Sequence, residues 1–199
     1  SYTGTGSNAT VGHGLGVKPD WIINKTRDTT AQMWSVYHSS RGATKHLGLD
    51  RSNAEDTGSA YYQDTEPTSS VFSVGSEAAT NYSSAALIAY CFAEKKGYSK
   101  FGSYTGNGNA DWLMIKRTDS GDGWLMIDNK RVGFNGGNNV LEADVNSAED
   151  SGVADRQDIL SNGFKLRSNW TKINASGGTY VYMAFAESPF VNSNGIPNN

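Results

Sequence analysis

Five landmarks of this chain recur in the same order at nearly the same distance, and that constrains its fold more than any other feature. DWII at Asp20 is answered by DWLM at Asp111, so Trp21 and Trp112 stand 91 residues apart. Trp34 and Trp124 stand 90 apart, and SNAEDTG around Glu55 meets NSAEDSG around Glu149 at 94. SVFSVGS matches NGFKLRS with Phe72 and Phe164 at 92, and IAYCFAE matches VYMAFAE with Phe92 and Phe185 at 93. Ordered landmarks drifting by so little mark a duplication with a unit of about 92 residues. The expected organisation is a first repeat over 1–94, a linker over 95–102 (KKGYSKFG) and a second repeat over 103–199.

One pair departs from the common offset. SYTGTG opens the chain and SYTGNG begins at Ser103, a displacement of 102. Fifteen residues separate Gly4 from Asp20, but only 4 separate Gly106 from Asp111. The second copy is therefore about 11 residues shorter there and lacks the counterpart of TVGHGLGVKP.

Within each copy the apolar runs are short and bounded by turn residues, as strands are. DWIINKT, MWSVYHS, SVFSVGS and AALIAYCFAE read as strands in the first copy; DWLMIKR, GWLMIDN, GFKLRS and TYVYMAFAE in the second. TYVYMAFAE is apolar on both alternating faces, which predicts a central strand covered on both sides. SRG, SGDG, NGG and NASGG supply the turns. Twenty-three glycines and only 19% charged residues fit this strand-and-turn reading better than helices. The expected fold class is all-β, two tandem β-sandwich repeats of the jelly-roll or lectin-like kind.

The net charge of −3, with no long basic run, argues against a nucleic-acid or anionic-membrane partner. No apolar stretch of about 20 residues is present to span a bilayer as a helix. The chain shows no leader-like opening and does not start with Met, so it is expected to be a processed product or a part of something longer. One cysteine, Cys91, excludes an intrachain disulfide and a multi-cysteine zinc site, and its apolar surroundings predict a buried small hydrophobe.

The string FAEKKGYSKFGSYTGNGNADWLMIKRTDS, with LSNGFKLRS and NASGGTYVYMAFAESPF, resembles a repeat domain in tail-fibre-like proteins of phages of marine bacteria, virion appendage proteins of the cyanophage and pelagiphage type. The resemblance covers nearly the whole chain. It implies a virion or extracellular location, and members continue SYTGNGNAD with a further hairpin that this chain lacks. It assigns no catalytic or ligand residue.

Adjacent carboxylates at Glu55–Asp56 and Glu149–Asp150 are the most enzyme-like feature, since paired carboxylates serve glycoside hydrolysis. Neighbours on an extended segment point to opposite faces, so these are read as turn residues accepting backbone N–H bonds. His13, His38 and His46 fit no zinc spacing and are read as independent surface or loop histidines. DSGDG at Asp119 lacks a calcium loop and reads as a hairpin turn. GTGSN and GHGLG fit neither nucleotide-binding motif. The sequons at Asn8, Asn24, Asn81, Asn169 and Asn174 matter only in a eukaryotic secretory pathway.

The loop EDTGSAYYQDTEPTSS sets Tyr61 and Tyr62 beside Asp64 and Glu66, a pairing of aromatic faces with carboxylates that suits a sugar ring. With Trp170 these form the candidate glycan-binding set, against which stands the reading that they simply cover the core. The sequence thus points to a non-enzymatic phage structural protein, a tail-fibre or similar module contacting host-surface glycans, without cofactor or metal. Its expected partners are its own copies, as a homotrimer, and other virion proteins. The alternatives are a jelly-roll carbohydrate-active enzyme, a capsid decoration or head-fibre module, or an extracellular filament subunit. A second copy short of 11 residues is expected to expose more strand edge than the first.

Overall fold

The structure, a computed structural model, describes residues 1–104, 112–131, 135, 139–151, 156–160 and 163–186, with the side chain of Trp112 left aside. It is all-β, with 40% strand against 7% helix, arranged as open antiparallel sheets. The chain divides into two compact units, Ser1–Arg51 with Glu55–Ala93, and Ser52–Ala54 with Glu94–Asn199. The expected shortening between Gly106 and Asp111 lies outside the described residues.

The first unit runs β1 (Tyr2–Thr3), β2 (Ala9–Gly12), β3 (Trp21–Thr26), β4 (Ser35–His38), β5 (Lys45–Gly48), β6 (Asp56–Thr57), α1 (Ser59–Tyr62), β7 (Val71–Val74), α2 (Ala78–Asn81) and β8 (Ala86–Phe92). One antiparallel sheet has the order β1-β8-β3-β4-β5-β6, and β2 pairs with β7 in a smaller one. Alternation along β3 and β4 points Ile22 and Tyr37 to one face. There they meet Phe72 and Val74 of β7 and Tyr62 of α1, forming a buried cluster against which Tyr2, Ala89 and Cys91 also pack. Gly4 sits where a Cβ would come within 2.0 Å of the Tyr82 carbonyl oxygen, so the SYTG turn needs its glycine.

The second unit runs β9 (Ser99–Tyr104), β10 (Trp112–Arg117), β11 (Trp124–Ile127), β12 (Leu141–Glu142), β13 (Gln157–Leu160), β14 (Gly163–Leu166), α3 (Thr171–Asn174) and β15 (Tyr180–Phe185). Its larger sheet has the order β12-β11-β10-β15-β9, and β13 pairs with β14. Leu113, Ile115, Leu125 and Ile127 on one face of the larger sheet pack against Ile159, Phe164 and Leu166 of the smaller one and Ile173 of α3. As its sequence predicts, β15 is internal and buried on both faces, through Tyr180 and Ala184 on one and Val181 and Met183 on the other.

The registers of the two units correspond residue by residue. Trp21 pairs with Phe92, and Trp112 with Phe185. Ile22 pairs with Tyr37, and Leu113 with Ile127; Tyr2 pairs with Leu87, and Tyr104 with Tyr180. Side-chain bonds recur as well. Tyr2 Oη donates to the Thr80 carbonyl and Tyr104 Oη to that of Ile173. Asn81 Nδ2 donates to the Gly75 carbonyl at 2.7 Å, Asn174 Nδ2 to that of Ser168 at 2.9 Å.

Two features depart from expectation. Residues 99–102, expected to belong to a linker, are the first four of β9. The Phe-bearing strand also finds its partner in different places. In the first unit Phe72 of β7 pairs with Val11 of β2, from the segment the second copy lacks. In the second, Phe164 of β14 pairs with Ile159 of β13, from the loop that precedes it. The shorter copy thus supplies its missing strand from elsewhere.

Candidate functional site

The loop carrying four of the five candidate residues begins at α1, which follows an extended Gly58 and ends where Gln63 and Asp64 turn the chain at φ 55° and 48°. Such positive φ is tolerable here because Gln63 Nε2 bonds the carbonyls of Ala9 at 3.0 Å and Val74 at 2.7 Å, fixing the turn to both strands beneath it.

Tyr62 points inward. Its ring is 2% exposed, lies edge-on to Tyr37, and its hydroxyl donates to Asn24 Oδ1 and lies 3.1 Å from Ser35 Oγ. No face of it is open to a ligand. Tyr61 is half-buried, with one face stacked on the His46 imidazole at 3.5 Å. Asp64 is exposed. Glu66 accepts from Lys18 Nζ at 2.7 Å, Tyr37 Oη at 2.8 Å and the Ala43 amide at 2.7 Å. Burial pushes its carboxyl up, but those three bonds outweigh it and hold the group below the ordinary glutamate value. Trp170, in the other unit, lies under the Arg156 guanidinium at 3.7 Å with Lys172 Nζ 5.6 Å away, and its carbonyl begins α3 by accepting from Ile173 and Asn174.

The structure therefore gathers Tyr61, Tyr62, Asp64 and Glu66 on one loop. It occupies at least one face of each aromatic ring in the candidate set with protein.

The paired carboxylates are held chiefly by side-chain cations, not by the backbone amides expected of turn residues. Arg41 Nε and Nη2 each reach a Glu55 oxygen at 2.6 Å, and Lys45 approaches to 3.8 Å. Glu149 accepts from Arg131 Nη1 at 2.5 Å and from Asn139 Nδ2 at 2.9 Å. Asp150 pairs with Arg156 at 3.0 Å, and the Asp56 side chain accepts the backbone amide of Thr57.

Two further carboxylates recur as latches. The Trp34 amide donates to Asp50 at 3.0 Å and the Trp124 amide to Asp144 at 2.8 Å. The Ala86 amide donates to Asp28 at 2.6 Å and the Thr179 amide to Asp119 at 3.1 Å. Asp119 also receives Arg117, whose guanidinium draws its carboxyl down to about 2, so the DSGDG turn spends this carboxylate on structure. Sequence reading missed Arg41/Arg131, Asp28/Asp119 and Asp50/Asp144. All three pairs obey the 90–94 spacing of the landmarks and were findable by it.

Two of the histidines are buried, contrary to the surface reading, because they fall on strands. His38 on β4 lies edge-on to Trp21 and its Nδ1 accepts the Ser40 amide at 3.0 Å. His46 on β5 pairs in register with Asp56, and burial pushes its imidazole below the ordinary value. His13 contacts the Thr68 carbonyl at 3.2 Å. Among the described residues no group of three or more His, Cys, Asp or Glu could hold a metal. Cys91 is a free thiol partly buried against the first core, pushed up to about 11 by burial.

A shallow surface depression lies at the β4–β5 end, lined by Val36, His38, Arg41, Lys45, His46 and Leu47. By the repeat spacing its second-unit counterparts are Met126, Asp128, Arg131, Asn139, Val140 and Leu141, so its two imidazoles belong to the first copy alone. Glu55 already compensates the cations Arg41 and Lys45.

Residues 1–189 match a family described as a domain of unknown function (DUF7483), and the chain belongs to that family. No curated protein and no solved structure matches it.

Proposed function

We propose that this DUF7483 member is a non-enzymatic structural protein made of two tandem β-sandwich repeats, serving as a module of a phage tail fibre or a similar virion appendage. The observation that carries the structural reading is the commitment of its carboxylates. Glycoside hydrolysis needs two facing carboxyl groups about 5 to 9.5 Å apart around a sugar and, in the inverting case, a water. Here Glu55 and Glu149, the most enzyme-like residues, each close on an arginine 90 residues from the other's. A residue that does the same mechanical task in both copies is explained by folding. The two-layer packing of each unit, a larger sheet against a smaller one, supports the sandwich reading.

Placement in a virion rests on the sequence resemblance around FAEKKGYSKFGSYTGNG. Contact with host glycans through the Tyr61–Glu66 loop would be made by the exposed oxygens of Asp64 and Glu66, since Tyr62 is enclosed and Tyr61 is stacked on His46. Assembly as a homotrimer with other virion proteins belongs to the same proposal.

Electron microscopy of phage particles labelled with antibody against this chain tests it, with gold expected along the appendages. Gold confined to the capsid or absent from particles rejects the placement. Reducing-end release from marine polysaccharides that disappears in Glu55→Gln rejects the non-enzymatic reading.

A further inference from the structure

The two units are alike on one face of their larger sheets and unlike on the other. On the first of these faces each unit sets a lysine against a tryptophan: Lys25 Nζ lies 5.8 Å from the Trp34 ring, and Lys116 pairs in register with Trp124. On the opposite face Asn24 stands directly across from Ser35 in β3–β4, whereas Ile115 and Leu125 hold the same places in β10–β11. All four of these side chains are 0% exposed.

The contrast extends to the neighbouring strands. Asn24 pairs with Ala89 of β8, and Ile115 with Tyr182 of β15. The first unit brings its tyrosine from α1 instead. Tyr62 Oη donates to Asn24 Oδ1 at 3.1 Å and lies 3.1 Å from Ser35 Oγ, while Asn24 Nδ2 donates to Tyr2 Oη at 3.1 Å. In the second unit Ile115 and Leu125 belong to a cluster with Leu113, Ile127, Ile159 and Phe164. One copy thus holds a hydrogen-bonded network where the other holds an aliphatic layer.

We infer that the Asn24–Ser35–Tyr62 network is a sorting device that keeps the two copies from exchanging strands as the chain folds. Misassembly between tandem copies is the characteristic failure of repeat proteins, and the lysine–tryptophan face, being common to both units, does nothing to prevent it. A chain in which β10 takes the place of β3 beside β4 sets Ile115 across from Ser35. It removes the acceptor of Tyr62 Oη and the donor to Tyr2 Oη. The converse exchange puts Asn24 across from Leu125, with its amide buried in the aliphatic layer. Both leave buried polar groups unpaired, which is the costly state for such groups. The last strands are sorted by size. In the first unit β15 would set Tyr182 beside Asn24, where Tyr62 already packs, and in the second β8 would leave Ala89 in the place of Tyr182.

The test refolds the whole chain from urea and follows, by pulsed hydrogen exchange, when the amides of β3, β4, β10 and β11 gain protection. The variant Asn24→Leu, Ser35→Ala, Tyr62→Phe replaces the network with apolar groups of similar shape and so keeps a foldable core. Tyr62→Phe alone weakens the same core but leaves Asn24 across from Ser35. In the triple variant the fraction of chains protected only in a late phase is expected to rise about threefold or more over the parent. The delay should include β10 and β11, in the unit that carries no substitution, and prolyl isomerase should not remove it. Tyr62→Phe should stay near the parent. The pair Asn24→Leu, Tyr62→Phe carries the same expectation as the triple variant and serves in its place if that chain does not fold. A late fraction equal to the parent's overturns the proposal. So does a delay confined to β3 and β4, since an exchange of strands must hold back both units.

Discussion

Arg41 and Glu55 are joined by two charge-assisted hydrogen bonds of 2.6 Å, Nε to Oε2 and Nη2 to Oε1, across 14 residues of chain. The pair fixes the turn after β4 to the segment entering β6. Arg131 and Glu149 repeat the attachment between the turn after β11 and the segment beyond β12. In both units an acidic residue that would suggest acid–base chemistry in isolation has a cation as its partner.

The duplicated cores predict equal sensitivity at matched phenylalanines. Phe72 and Phe164 are each 1% exposed and each lies edge-on to the tyrosine of an SYTG motif, Tyr2 at 6.3 Å and Tyr104 at 5.7 Å. Phe72→Ala and Phe164→Ala should each cost about 3 to 5 kcal/mol in denaturant unfolding. Phe185, the landmark that answers Phe92, is partly exposed, and its alanine variant should cost less than either. Equal losses at all three would contradict the layer assignment.

Tyr62 is a core residue, so it cannot be removed to test glycan binding without disturbing the fold. Tyr62→Ala should cost about 3 to 5 kcal/mol. Tyr62→Phe, which keeps the ring and leaves Asn24 Oδ1 without its donor, should cost about 1 to 2 kcal/mol. Asp64→Ala should leave the melting temperature within a degree or two, because the side chain is exposed and turn geometry there is set by the Gln63 bonds. A Tyr62→Ala variant as stable as the parent would place the ring outside the core.

The eight principal strands were legible because each carries a tryptophan, phenylalanine or β-branched run between turn residues. DWII and DWLM became β3 and β10, and IAYCFAE and VYMAFAE became β8 and β15. The short elements were not. ATVG, lying among glycines, reads as loop until Phe72 offers it a partner. QDIL likewise reads as loop until Phe164 offers it a partner. The helices are single turns of four residues, too short for a 3.6-residue period to show. At the site, adjacency in sequence brought Tyr61 and Tyr62 together on paper, but opposite rotations about α1 send one to His46 and the other to Asn24. The repeat spacing could match Arg41 with Arg131, but that they hold Glu55 and Glu149, 14 and 18 residues away in sequence, is visible only once folding brings them into reach.

A buried lysine gives the protein an alkaline signature. Lys116 is 0% exposed on β10 and donates to the Asp122 carbonyl at 2.5 Å, as Lys25 does to the matched carbonyl of Gln32. Burial pushes its ammonium down to about 8, while Asp144, Asp122 and Asp119 pull it upward and Arg117 opposes them. The folded value lies below the unfolded one, so between pH 8 and about 10 the unfolded chain holds more protons than the folded one. Stability contributed by this group therefore rises with pH across that window. Urea unfolding at pH 8, 9 and 10 should show the rise, and Lys116→Met should flatten it. A parent profile no steeper than that of Lys116→Met would contradict the burial of the charge.

The central claim, that the conserved geometry of the two carboxylates serves folding, is tested most directly by chemical unfolding of Glu55→Gln and Glu149→Gln beside the parent. Glu55 is 12% exposed and should lose about 1 to 3 kcal/mol with its charge. Glu149, at 34% exposed and more screened by solvent, should lose about 0.5 to 1.5 kcal/mol. Both losses should occur without change in any polysaccharide substrate offered. Variants as stable as the parent or more so, with a hydrolytic activity that the parent has and they lack, would contradict the account.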